Sequence, residues 1–183
     1  MTSNIEQALL SCPCQAAAAQ LTVAGQRYVA DFTGHLTVGL DPNMLARYMQ
    51  GAVNVVELLV QEHVSNGVGA VIGAISVIKH PDREPPPSTL KPITPGIPFP
   101  AVQDMIVDIV VEIPSLLPNI RLQPVIPANP GPPVLRNSSV TNFPPQGDVY
   151  QLMEPMDLED INNPGPVLAT INSFPVTVNP ATD

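Results

Sequence analysis

Arg27–Leu40 reads RYVADFTGHLTVGL, and its alternation sets how the rest of the chain is read. Tyr28, Ala30, Phe32, Gly34, Leu36, Val38 and Leu40 fall on one face; Arg27, Asp31, Thr33, His35 and Thr37 fall on the other, with Val29 the exception. A period of two places successive side chains on opposite faces of a strand. The stretch is therefore one long strand, or a hairpin pinched near Thr33–Gly34, with one face buried and one wet. Leu21–Val23 reads as a short preceding strand, with Ala24–Gly25 as the turn between them.

Asp41–Pro42 then marks a helix start, since an Asp caps unpaired N–H groups and a Pro at the first helical position loses no hydrogen bond. Leu45, Tyr48, Met49, Ala52, Val56, Leu59, Val60 and His63 recur at steps of three and four. That spacing predicts a helix from about Pro42 to Val64, ended near Asn66–Gly67. Val68–His80 reads as a second long strand, apolar on both faces and so central in its sheet, with Gly69 and Gly73 leaving room for a neighbour. Strand, helix, strand permits a right-handed crossover. Residues 1–80 are thus expected to form the β-α-β core of an α+β fold, a mixed β-sheet with one long covering helix.

The prolines divide the remainder of the chain. Twenty-two of the 24 lie from Pro81 onward, where they break helices and central strands. Residues 81–100 read as a proline-rich linker. Residues 101–113 read as a further core strand, with Met105, Val107, Ile109, Val111 and Ile113 alternating, because a helix would stack Asp104, Asp108 and Glu112 on one stripe. Residues 114–183 read as an extended proline-rich arm. Pro124, Pro127, Pro130 and Pro133 are spaced by three, one turn of polyproline II. Asn129–Leu135 with Phe143 after it echoes Asn163–Leu168 with Phe174 after it, a weak internal repeat.

The formal charge is −9 and charged residues make up only 13% of the chain. Residues 1–100 hold seven acids and five bases, residues 101–183 nine and two. No basic patch is offered to a nucleic-acid backbone, so no nucleic-acid partner is expected. Met1–Leu10 has no basic segment before an apolar one, which argues against a secretory signal. The longest apolar run, Val68–Ile78, is too short to cross a bilayer, where ~20 residues are needed, and no membrane partner is expected. Cys12 and Cys14 flank Pro13, and two thiols fill only half of a structural metal shell. His35, His63 and His80 lie in no recognisable nucleophile setting, the row Asp104, Asp108 and Glu112 reads as a solvated strand face, and the Glu154, Asp157, Glu159, Asp160 cluster reads as a polar loop. Neither a cofactor nor an enzymatic activity is expected.

An apolar, proline-rich arm on a weakly charged core suggests assembly. The expected function is a structural subunit of a large homomeric particle, most plausibly a virion protein of the capsid-decorating or tail-associated kind, assembled in the host cytoplasm. Its arm would clamp neighbouring copies through Arg121, Pro124, Pro127, Pro130, Pro133, Phe143 and Phe174, proline lowering the entropy lost on docking. The alternative is a soluble adaptor. Arg121–Pro127 fits Arg-x-x-Pro-x-x-Pro and over those seven residues resembles a ligand of SH3 domains.

Overall fold

Three long strands lead the chain: β1 (Ala8–Val23), β2 (Gln26–Leu40) and β3 (Val56–Gly69). The structure, a computed structural model, describes residues 7–181; of the segment Met1–Leu10 weighed above as a leader, residues 1–6 lie outside that range. The turn Ala24–Gly25 has positive φ at both positions (49° and 79°), the geometry that matches the twist of two antiparallel strands. Between β2 and β3 sits one short helix, α1 (Pro42–Met49). Ten shorter strands follow: β4 (Gly73–Lys79), β5 (Ser88–Thr94), β6 (Ile97–Ile106), β7 (Ile109–Glu112), β8 (Leu122–Pro124), β9 (Val134–Val140), β10 (Asp148–Leu152), β11 (Met156–Asp160), β12 (Asn163–Ser173) and β13 (Val176–Val178).

Hydrogen bonding closes these strands into two rings that share β1, β2 and β3. The first runs β1-β2-β3-β4-β7-β8-β11-β12 and closes where Leu21 of β1 meets Ile171 of β12. The second runs β1-β2-β3-β5-β6-β9-β10-β13 and closes where Val56 of β3 meets Leu90 of β5. The molecule is therefore a barrel of eight tracks, three continuous and five broken at a waist. The chain recrosses that waist at residues 80–87, 107–108, 125–133, 153–155 and 174–175. Among the described residues, closure leaves neither ring with an unpaired edge strand.

This all-β architecture, 61% strand and 5% helical, overturns the expected α+β fold and its long covering helix. Asp41 does cap α1, its carboxylate accepting from the Asn43 N–H at 2.8 Å. The helix then stops after Met49 because Gly51 takes φ +72°, where a Cβ would fall 2.2 Å from the Gly96 carbonyl oxygen. Beyond it, Val56, Leu58 and then His63, Ser65 and Gly67 face inward as alternate positions of a strand. The pairing of β3 with β2 skips Gln61, since Thr37 faces Glu62 while Val38 faces Val60. One inserted residue changes the parity of a strand without changing its buried face. It also turns steps of two into the step of three that imitates a helix.

A second bulge lies in β1, where the buried set passes from Cys12, Cys14 and Ala16 to Ala19, Leu21 and Val23 around Ala18 (φ 54°). Strand β2 keeps one parity throughout, as its alternation requires. Each long strand thus serves both rings. At the crossing, Gly34 lies against β3 so closely that a Cβ would come within 1.8 Å of the Val64 carbonyl oxygen.

The prolines account for four of the five breaks. Lacking an N–H, proline cannot donate to a central ladder. Of the three continuous strands only β1 contains one, Pro13, whereas Pro81, Pro85–Pro87, Pro127–Pro133, Pro155 and Pro175 mark four of the five waist crossings. The expected arm is therefore corrected: residues 114–183 supply β8 to β13 of the same body. The expected linker contains β5, and the strand expected over 101–113 is two strands, β6 and β7, interrupted at Val107–Asp108.

Side chains fill both rings. In the first, Phe32 and Phe174 meet edge to face at 5.1 Å among buried Leu21, Ile75, Leu122 and Leu158. Gly67 makes room for them, since a Cβ there would lie 2.5 Å from the Phe32 ring. In the second, Leu58, Leu90, Met105 and Val178 are buried in the same core cluster as Tyr150, whose hydroxyl donates to the Gln103 side-chain oxygen at 2.7 Å. Tyr48 of α1 is fully buried and donates to the Pro98 carbonyl at 2.6 Å.

Gly34→Ala forces a methyl group into the Val64 carbonyl where the backbone has no slack. We expect a loss of about 3 kcal/mol, measured by urea unfolding, against less than about 0.5 kcal/mol for an exposed control such as Thr33→Ala.

Candidate functional site

Two places at the waist gather chemically capable groups. The inner one lies under the shared strands. His63 Nε2 and Ser65 Oγ are 3.1 Å apart, and the Cys14 thiol stands 3.9 Å from the same hydroxyl. The parity changes in β1 and β3 bring these residues together, which explains why spacing along the sequence did not. Beside them is a cavity of about 30 Å³ lined by Cys14, Leu36, His63, Pro85, Met105, Leu135 and Val176 among others. That is room for one or two waters and for no organic substrate.

The electrostatics there run against nucleophilic chemistry. Burial pushes the Cys14 thiol up, with the Ser65 hydrogen bond pulling the other way, so it is a protonated thiol and a poor nucleophile. Burial, with His35 nearby adding to it, pushes the His63 imidazole down to about 4. Cys12 and Cys14 are both free thiols, and burial raises Cys12 as well.

The other charged groups singled out in the sequence are held as fasteners. The acids expected to form one solvated row each have an arginine. Asp104 takes a two-pronged contact from Arg136 at 2.6 and 2.8 Å, buried Asp108 binds the Arg83 guanidinium, and Glu112 stands 3.4 Å from Arg121. Arg83–Asp108 pins the first waist crossing to the second. His80, also buried, accepts from the Asp82 N–H through Nδ1 at 3.2 Å, which leaves Nε2–H to donate to Gln123 at 3.0 Å. Gln123 donates in turn to Glu159 at 3.2 Å. His35, on the outer face, lies 3.5 Å from Glu62 of β3. Among the described residues every buried side-chain nitrogen and oxygen has a partner.

The outer place is a cleft on the side away from the shared strands. It opens where residues 125–133 and 153–155 cross the waist, and its volume is about 460 Å³, larger than the 410 Å³ groove at Gly39 or the 350 Å³ recess at Arg121. Val125, Pro127, Pro130, Pro132, Pro133, Val134, Met153, Pro155 and Met156 form its walls, with Arg136, Glu154 and Asp157 among them. Backbone bonds fix both lips: the Met153 N–H donates to the Val134 carbonyl at 3.0 Å and the Val125 N–H to the Asp157 carbonyl at 2.9 Å.

Of the residues proposed for interaction, Pro127, Pro130 and Pro133 meet in this cleft. Pro124 is buried in β8 beside Leu122, so the Arg121–Pro127 segment is part strand rather than a free polyproline rod. Arg121 lies at the other recess, Phe143 is half-buried, and Phe174 is buried against Phe32. The two echoing segments do not form equivalent units, since the first supplies a cleft wall and the second starts β12. Sequence reading missed Met153, Met156 and Arg136. The signal was present in Met153–Asp157, where methionine, acid and proline alternate at a strand break.

A filled eight-track barrel with a proline-walled cleft at its waist is the class these features define. No family model and no curated protein matches the chain. Among solved structures it is similar to DynF from the dynemicin biosynthesis pathway of Micromonospora chersina, at 20% identity and a TM-score of 0.79, over 97% of this chain and 82% of that one. At that identity the likeness is one of fold.

His63 gives the pH dependence a sign. With the folded-state pKa near 4 and an unfolded value near 6.5, the unfolded chain binds the proton first. Stability is therefore complete above about pH 6.5 and falls as the pH drops toward 4. Between pH 7 and pH 5 we expect a loss of about 2 kcal/mol from this group, read by urea unfolding. His63→Gln should flatten that part of the curve, and an unchanged slope would show that His63 is not held neutral.

Proposed function

We propose that the protein is a binding protein that holds an apolar small molecule in the waist cleft. One contrast carries this reading. The rings are filled by their own side chains, with about 30 Å³ left at the inner waist, whereas the cleft offers about 460 Å³ walled by prolines, valines and methionines. That volume lies within the range of small-molecule sites, which are apolar concavities with a few placed polar groups. Proline walls lose little conformational freedom when a ligand settles on them. DynF belongs to a biosynthesis pathway, and a ligand-holding role here is in keeping with such a setting.

A neutral fluorescent probe, N-phenyl-1-naphthylamine, tests it. Saturable enhancement is expected with the intact chain, weakened roughly tenfold by Met153→Asp, a change at a half-exposed position that should leave unfolding unaltered. No enhancement, or equal affinity in the variant, rejects the cleft as the site.

A second reading, self-association of the kind a virion subunit requires, has a different observation in its favour. Its first argument was a free arm, and those residues are strands. The outer face of β2, β3 and β4 nevertheless exposes Val29, Val68 and Ile78, with Val71 at the adjoining turn. Register places Asp31 opposite Val68 and Val64 opposite Ile78, so these aliphatics share one sheet face without forming an unbroken row, and an exposed apolar face of this kind can meet a partner. Light scattering across a concentration series decides it. A mass rising above 19.4 kDa supports association, and a constant 19.4 kDa removes it.

A further inference from the structure

The charges in the cleft do not cancel, and the imbalance points to a class of ligand. Arg136, Glu154 and Asp157 all line it. Arg136 is already committed, its Nε and Nη2 donating to the two carboxylate oxygens of Asp104, so that pair contributes no net charge. Asp157 accepts a neutral hydrogen bond from the Thr170 hydroxyl at 2.8 Å, which leaves its negative charge in place. Glu154 is exposed and has no cationic partner among the described residues. Two carboxylates without a cationic partner among the described residues, both exposed, therefore stand in the lining of an apolar cleft and give it a negative potential. The net charge of −9 adds a field of the same sign.

We infer that the cleft selects an apolar molecule that carries a protonated amine. This rests on the reading of the cleft as a small-molecule site and adds what that molecule must look like. Its hydrocarbon body lies against Pro132, Val134 and Met153, methionine adapting to irregular shapes, and its ammonium group faces Glu154 and Asp157. A carboxylate or phosphate in the same position meets like charge. A bare divalent ion is poorly served, since no group of three or more His, Cys, Asp or Glu side chains converges among the described residues.

Three rigid probes of equal shape separate charge from bulk: adamantan-1-amine, adamantan-1-ol and adamantane-1-carboxylate, titrated calorimetrically into the intact chain at pH 7. The amine should bind about tenfold tighter than the alcohol, and the carboxylate more weakly than either. The preference should shrink in 1 M salt and disappear in the double variant Glu154→Gln/Asp157→Asn, whose new amide oxygen still accepts from the Thr170 hydroxyl. Equal affinity for amine and alcohol, or a preference that survives the double substitution, overturns the inference. If N-phenyl-1-naphthylamine binds in either case, the cleft stands and only its charge selectivity falls. If neither the naphthyl probe nor any adamantane binds, both readings fall together.

Discussion

The rest of the molecule depends on three strands passing from one ring to the next without a break. To do so, β1 and β3 each take an extra residue, near Ala18 and at Gln61, while β2 crosses on Gly34 in contact with the β3 backbone. The bulges bend the ribbon and keep its buried face inward on both sides of the waist. They also set what meets there, since shifting parity by one residue exchanges the buried and exposed sets. Without the Gln61 bulge, His63 and Ser65 would point to solvent and the Cys14–Ser65–His63 line would not exist.

Around this ribbon the other five tracks are discontinuous, and that is where the proposed binding surface arises. A break in a strand leaves backbone groups to be satisfied some other way. At the cleft, Val125, Val134, Met153 and Asp157 exchange bonds across the gap, and prolines, which have no N–H to satisfy, make up much of the rest. The surface so produced is apolar, stiff and concave. A folding requirement and a surface suited to binding thus share one origin.

Much of the local structure was legible in the sequence. The alternation of Arg27–Leu40 is β2 almost to the residue, Ala24–Gly25 is the turn before it, and Asp41–Pro42 starts the helix. The global fold was not legible, for two physical reasons. A bulge is invisible to periodicity, so Val56, Val60 and His63 imitated a helix. Proline density argues against central strands one residue at a time, but says nothing about short strands that meet prolines only at their ends and bulges. Pro164 and Pro166 of β12, for example, sit where its pairing with β11 skips from Val167 to Asn163. The cleft followed the same logic. Pro127, Pro130 and Pro133 were singled out for their spacing, while the segment that faces them, Met153–Asp157, came from a part of the chain read as a polar loop.

The order of strands around each ring also constrains synthesis. Of the described strands β1 is made first, and it needs β12 to complete the first ring and β13 to complete the second. Neither ring can therefore close while the chain is still emerging up to residue 162, and a nascent β1–β2–β3 sheet must wait with its apolar face uncovered. Long-range pairings of this kind make folding slow and leave an intermediate prone to aggregation. For a cell making this protein, the exposed interval is set by the rate of translation as much as by the energetics of the finished barrel.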